Sequence, residues 1–348
     1  MDILDGFKKT YYQYKIFLRP LPPLRQARIL YRKFTNRFIC RNTVNTLVFG
    51  LTYRCQLNCV HCGVNANADS TEGELDTDEI KETLRQARGL GVYFVVLFGG
   101  EPFLRRDILE IVQYAAKLGM MVSISTNGLL LDRRLLEKLK KCGVSFLNIS
   151  LDSSDHRVHD RLRRCEGSFQ KAMHSLEEGV AAGVNVIVST YATKENIQSR
   201  DIERIIVLAK AKRASGVRIL LAIPAGRLSN APGLEFSEQD KAYIYKLLDP
   251  TYVFIEGVCN ARTECNALLK RLFYISPYGQ VQPCGFVPAS YGDIRTDRLS
   301  TIWARMKSSR IYAVLDHNDC IMRHSDIQDG NNEIFRGGAV LGCYGFRK

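Results

Sequence analysis

No apolar run in the chain approaches the roughly 20 residues needed to cross a bilayer. The longest, such as Val92–Phe98, already contain tyrosine and phenylalanine and stop far short. The opening MDILDGFKKTYYQYK lacks the apolar core and small-residue site of an export signal. Nor is any stretch of low complexity: 46% hydrophobic and 24% charged residues exclude a disordered or fibrous chain. These absences lead to the expectation of a soluble, cytoplasmic globular protein. Without export, the 11 cysteines, an odd number, are not expected to form a disulfide framework, so metal binding or redox chemistry is the better use for them.

Acidic residues are scarce where basic ones collect. Residues 1–45 hold ten Lys/Arg (Lys8, Lys9, Lys15, Arg19, Arg25, Arg28, Arg32, Lys33, Arg37, Arg41) against Asp2 and Asp5, a net +8 out of +13 for the chain. Tyr11, Tyr12, Tyr14, Phe17, Ile29, Leu30, Tyr31 and Phe34 are interleaved with them. This basic N-terminal extension reads as a helical strap across a barrel bottom. Peripheral contact with an anionic membrane, or with an acidic substrate or leader peptide, is the sharper alternative. Nucleic acid is a poor candidate partner, because no recognisable binding module accompanies the charge.

From residue 46 the chain alternates apolar strands with amphipathic helices. Strands are predicted at 46–52, 93–98, 121–126, 144–152, 184–191 and 217–223. Helices are predicted from Thr77 as N-cap, and at 106–119, 133–143, 169–183, 200–212 and 237–248. Six such units specify a parallel sheet covered on its outside, too few for a closed eight-stranded barrel. The expectation is an α/β fold: a partial (β/α)6 TIM-like barrel over 46–250, with a small cysteine-containing C-terminal α+β extension over 251–348.

Directly after the first strand stands Cys55-Gln-Leu-Asn-Cys59-Val-His-Cys62. Three thiolates on so short a loop can converge on one soft metal centre, and three ligands leave one iron of a [4Fe–4S] cube open to a small molecule. Zinc is the rival, with His61 the nearby fourth donor. Later strands end in Gly99-Gly100-Glu101-Pro102, in Ser125-Thr126-Asn127-Gly128 and in Ser150-Leu151-Asp152, where a barrel collects its functional groups.

Taken together and in order, these segments resemble the radical S-adenosylmethionine superfamily over about residues 46–225. The resemblance implies that Cys55, Cys59 and Cys62 hold three irons while S-adenosylmethionine chelates the fourth. It places Gly99 and Gly100 close to the ligand, Glu101 beside the methionine ammonium, and Ser125 and Asn127 at the ribose or carboxylate, with Pro102, Ser150 and Asp152 lining the cofactor pocket. His61 takes a position usually aromatic in the family, near adenine. Arg163 takes that of the carboxylate-contacting arginine, and Gly216 and Ile219 lie against adenine. Read singly, these residues have plainer uses. Gly-Gly ends strands, Ser125 and Asn127 form turns, Asp152 caps the next helix, and His156 and His159 are helix-start or surface residues. Tyr191, Arg227 and Tyr278 receive no role.

The C-terminal part carries Cys259-x5-Cys265, then Gly279 after thirteen residues and Cys284 after four more, within a hairpin-like LFYISPYGQVQPC. This resembles the SPASM/Twitch extensions that bind auxiliary iron–sulfur clusters. A full SPASM pattern has a further block of cysteines, whereas only Cys320 and Cys343 follow here. One auxiliary cluster is therefore expected, on Cys259, Cys265 and Cys284 with Cys320 or Cys343 completing it. Cys40, Cys142 and Cys165 are read as ordinary thiols.

The resemblance implies a radical S-adenosylmethionine oxidoreductase or maturase. A one-electron donor such as ferredoxin or flavodoxin drives reductive cleavage to a 5′-deoxyadenosyl radical, which abstracts hydrogen from a peptide or protein side chain. A heme precursor or a lipid is the alternative substrate, and a non-catalytic iron–sulfur electron carrier or scaffold the alternative of another class.

Overall fold

The computed structural model describes residues 23–35, 44–64, 73–229, 231, 234–249, 251–256, 265–287, 289–315, 320–323 and 339–340. A helix, α1 (Pro23–Phe34), precedes the alternating units. These are β1 (Thr46–Thr52), α2 (Thr77–Gly89), β2 (Phe94–Gly99), α3 (Ile108–Lys117), β3 (Met121–Thr126), α4 (Arg133–Cys142), β4 (Phe146–Ser150), α5 (His156–Arg163), α6 (Ser168–Ala181), β5 (Val186–Ala192), α7 (Lys194–Gln198), α8 (Asp201–Ala211), β6 (Gly216–Leu221), α9 (Glu238–Leu247) and β7 (Val253–Glu256). After these come β8 (Leu272–Ile275), β9 (Val281–Gln282), β10 (Ala289–Ser290), α10 (Leu299–Lys307), α11 (Ile311–Val314) and β11 (Ala339–Val340).

Strand parity explains the layering. Leu47, Phe49 and Leu51 of β1, Val122 and Ile124 of β3, Leu147 and Ile149 of β4, and Val217 and Ile219 of β6 face the helices. There they join one core with Ile80, Leu84, Ile111, Leu136 and Ile205. The alternate residues line the concave side. Ile219 therefore packs against helices, and it is Arg218 that points into the hollow, contrary to the reading of Ile219 as an adenine contact.

The six expected strands are present, but among the described residues the sheet has nine, in the order β7-β6-β5-β4-β3-β2-β1-β8-β9, open between its ends. All pairs are parallel except β8–β9. The boundary drawn near residue 250 thus falls inside one sheet: β7 extends it beyond β6, and β8 runs parallel along the far edge of β1. The predicted hairpin is there as β8 and β9, but its parallel pairing with a strand more than 200 residues earlier leaves no local pattern to read. Further bonds tie this region to the barrel. Arg295 Nε binds Glu79 Oε1 at 2.7 Å, and Leu299 N donates to Gln86 Oε1 at 2.8 Å.

The N-cap of α2 is Asp76 rather than Thr77. The Asp76 carboxylate accepts from Asp78 N and Glu79 N, and Asp76 N donates in return to Glu79 Oε2 at 2.8 Å. Thr77 instead donates to Asp107 Oδ2 at 2.7 Å, tying α2 to the start of α3. At the opposite end of the barrel, Ile29 of α1 is fully buried against Met121, Tyr93 and Phe94, where β2 and β3 begin. This is the strap position expected at the barrel bottom.

Candidate functional site

The cysteine loop leaves β1 at Thr52 and lies over the carboxyl ends of the strands. Its backbone is stitched to elements far away in sequence. Val60 N donates to Leu162 O at the end of α5 (2.9 Å), Arg227 N donates to Cys62 O (3.0 Å), and Arg227 Nη1 donates to Cys59 O (2.6 Å). Donors also point at sulfur: Leu57 N at Cys55 Sγ (3.4 Å), Arg163 Nη1 at Cys59 Sγ (3.7 Å) and Asn127 Nδ2 at Cys55 Sγ (3.9 Å). Burial pushes the Cys55 thiol up to about 11, reinforced by nearby Glu101, Cys59 and Cys62. Burial also raises Cys59, against the opposing pull of Arg163. Among the described residues no three His, Cys, Asp or Glu side chains are grouped to hold a single metal ion. Three mutually interacting thiols with converging N–H donors fit a cluster whose cysteines each take a different iron.

The Gly99–Gly100 pair has a tighter reason than ligand access. A Cβ on Gly99, whose φ is +147°, would lie 2.1 Å from Thr52 O, and one on Gly100 would lie 2.3 Å from Arg54 O. The glycines let the exit of β2 press on the root of the cysteine loop, where Gly100 N and Glu101 N donate to Thr52 O and Arg54 O (2.7 and 2.8 Å). Glu101 is wholly buried, and both its carboxylate oxygens are engaged: Thr126 Oγ1 and Phe103 N donate to Oε1, and Asn127 N donates to Oε2. Burial raises its pKa against the opposing pull of these three bonds. It clamps the end of β3, and Pro102 opens the single turn that follows. The clamp aims Asn127, whose Oδ1 accepts from Leu129 N (2.9 Å) and from Gln56 Nε2 (3.2 Å) on the cysteine loop.

Asp152 is not a helix cap. Asp155 caps α5, accepting from Arg157 N at 2.8 Å, and Asp152 instead lies buried beneath the cysteine loop. It accepts from Arg163 Nε at 2.6 Å and stands 3.3 Å from His61 Nε2. Burial works against the Asp152 charge, yet Arg163 and then His61 outweigh it and hold the carboxyl well below its usual range. Burial likewise works against Arg163, and Asp152 outweighs it. His61 stacks on Tyr191 with centroids 4.9 Å apart. His159, read from sequence as a helix-start or surface residue, is 1% exposed; its Nδ1 accepts from Asp152 N at 3.1 Å, and burial lowers it to about 4.

Sequence reasoning missed Arg218. Buried on β6, it donates to Ser189 Oγ of β5 (3.0 Å) and to Ser125 Oγ of β3 (3.4 Å). Since β4 and β5 lie between β3 and β6, the latter bond spans the hollow. Asn148 and Ser123 are joined across the same face at 2.7 Å, and half-buried Ser150 ends β4 in register with Ser189. A charged residue at the inward parity of an otherwise apolar strand was the available signal.

In the C-terminal part, Cys265, Cys284 and Cys320 lie near enough to act on one another electrostatically. Burial raises Cys265 to about 11 and Cys284 to about 12, and the charge of Cys320 acts on both. Cys259 and Cys343 lie outside the described residues. The two cysteine regions interlock. Phe286 packs where a Cβ on Gly63 would sit (2.6 Å), and Tyr274 fills the space at Gly50 and bonds Tyr53 through their hydroxyls at 2.8 Å. Tyr278 packs edge-on to Tyr53 with centroids 5.6 Å apart.

The family model of the radical SAM superfamily matches residues 50–223, and that of an iron–sulfur cluster-binding domain, SPASM, matches residues 265–325. The chain belongs to the radical SAM superfamily. It is 27% identical over 290 residues to the AdoMet-dependent heme synthase of Methanosarcina barkeri, covering 75% of this chain and 82% of that one. It is 34% identical over 182 residues to the mycofactocin maturase MftC of Mycobacterium tuberculosis, covering 52% and 45%. Its fold is like that of Streptococcus suis SuiB bound to precursor peptide SuiA, with TM-score 0.62, 18% identity and coverage of 81% and 70%. The protein is thus an enzyme of the radical SAM class that uses a [4Fe–4S] cluster and S-adenosylmethionine, and its SPASM domain implies auxiliary iron–sulfur binding. No helix among the described residues is long and apolar enough to cross a membrane.

Proposed function

We propose that the enzyme abstracts a hydrogen atom from a carboxylate-bearing substrate, a heme precursor in the first instance, held in the barrel hollow above Arg218. The carrying observation is the loop of Cys55, Cys59 and Cys62 fastened over that hollow by Asn127, Arg163 and Arg227. When bound, the cluster and S-adenosylmethionine supply a 5′-deoxyadenosyl radical on receipt of one electron from a donor such as ferredoxin or flavodoxin. The three cysteines hold the cluster. Asp152 keeps Arg163 charged and fixed beside Cys59, where it serves the carboxylate of S-adenosylmethionine. Glu101 sets Asn127 against Cys55, and His61 with Tyr191 offers a flat surface to adenine. Arg218, among the hydroxyls of Ser125 and Ser189, orients the acidic substrate. Extent of similarity supports the heme-precursor reading, because the heme-synthase likeness runs over three quarters of this chain. The likeness to MftC, over about half, supports a peptide side chain as the second reading.

Cys265, Cys284 and Cys320, with Cys259 as the fourth ligand, would hold one auxiliary cluster. Anaerobic reconstitution with iron and sulfide should then give about eight irons per chain, as two four-iron clusters require. With dithionite and S-adenosylmethionine the protein should form 5′-deoxyadenosine, and Cys55→Ala should abolish it. Deoxyadenosine from that variant would refute the site, and about four irons would remove the auxiliary cluster.

A further inference from the structure

Helix α1 is amphipathic in the wrong sense for a helix packed on a core. Of the six exposed large apolar side chains among the described residues, four belong to it: Leu24 (74% exposed), Leu30 (46%), Tyr31 (69%) and Phe34 (56%). Exposed Ala27 completes a set spaced by threes and fours, so one continuous face of three turns is apolar and open to solvent. Ile29, off that face, pins the helix to the barrel bottom against Met121, Tyr93 and Phe94. The same twelve residues include Arg25, Arg28, Arg32 and Lys33 and no acid, within a segment of net +8.

We propose that α1 docks the enzyme on an anionic lipid surface, lying in the plane of the interface with Leu24, Leu30, Tyr31 and Phe34 in the acyl boundary. Charge selects this occupant. An apolar face alone would also suit a second copy of the chain, but two copies meeting there would bring together two helices of four cations each and no acid. An anionic bilayer takes up both the apolar area and the charge. Twelve residues, about 18 Å of helix, are too short to span and long enough to lie flat. The docking face is at the amino ends of the strands and the cysteine loop at their carboxyl ends, so an attached enzyme turns its mouth away from the bilayer. This disfavours a lipid embedded in that bilayer as substrate. The inference rests on α1 alone and stands or falls separately from the substrate reading.

The test is flotation of the full chain with phosphatidylcholine vesicles, with and without phosphatidylglycerol, alongside light scattering of the free protein. The expected result is binding to phosphatidylglycerol vesicles that weakens with salt. Arg25→Gln/Arg28→Gln/Arg32→Gln should weaken it about a hundredfold, at roughly fivefold per cation near an anionic surface. Leu30→Glu/Phe34→Glu should weaken it by at least about a hundredfold. Both variants should still form 5′-deoxyadenosine, showing that they fold. Equal binding to phosphatidylcholine alone, flotation unaffected by either variant, or a doubled mass that Leu30→Glu/Phe34→Glu halves would each overturn the proposal, the last in favour of a second copy.

Discussion

Asp152→Asn isolates the electrostatic support of the cysteine loop with almost no change in volume. The wild-type carboxylate is 2% exposed, with Arg163 at 2.6 Å and His61 at 3.3 Å. The amide keeps one acceptor for Arg163 but removes the charge that holds the guanidinium under the loop. Leaving a buried cation without its counter-charge costs about 3–5 kcal/mol. The retained acceptor puts the expectation at the lower end, about 3 kcal/mol, out of the roughly 5–15 kcal/mol that holds a protein together. Urea unfolding of the apoprotein should show this as a lower midpoint at unchanged slope. Because the penalty comes from the stranded Arg163 charge, Asp152→Asn/Arg163→Gln should be less destabilised than the two single losses added together. A single variant within about 0.5 kcal/mol of wild type, or an additive double variant, would refute the reasoning.

Two further outcomes follow from the same site. Gly100→Ala must place a methyl 2.3–2.5 Å from two backbone oxygens of the cysteine loop's root, neither of which is a flexible side-chain end. It should cost about 1–3 kcal/mol or more and abolish deoxyadenosine formation, read by thermal unfolding and product assay, whereas Gly89→Ala, with open space around it, should do neither. His159 is held neutral in the fold, at about 4 against an ordinary 6.5. The unfolded chain therefore takes up its proton first as pH falls, and the stability present above 6.5 is lost toward 4. Apoprotein stability should drop by about 2 kcal/mol between pH 7 and 5 from this group, and His159→Phe should flatten that slope.

How much was legible in advance depended on how local the cause was. The six barrel strands and their helices follow from period-two and period-3.6 apolar patterns, and the cysteine loop and strand-end motifs from their order along the chain. The parallel seat of β8 beside β1 depends on a pairing far apart in sequence, which no local pattern encodes. His159, and the plainer reading of Asp152 as a cap, turn on distant contacts of the same kind. Each is a common helix-start residue type, and only the fold shows Asp155 doing the capping while these two are buried under the loop. Hydrophobicity alone favours Ile219 as an adenine contact, but strand parity turns Ile219 to the helices and Arg218 inward. At Gly99 and Gly100 the nearest obstacle to a side chain is the chain's own backbone, a contact that no local pattern reveals.

Consider finally the seating of β8 against β1. Cys55 follows β1 and Cys284 follows β9, which β8 separates from β1 in the same hydrogen-bonded sheet, and Phe286 and Tyr274 pack between the two regions. An electron moving between metal centres held in these two regions would cross a gap set by strand geometry, without a hinge to widen or narrow it. Tunnelling rates fall steeply with distance, so such a gap would give the same transfer rate at every turnover, whatever substrate enters. Control of when the electron moves would then have to come from the driving force, not from domain motion.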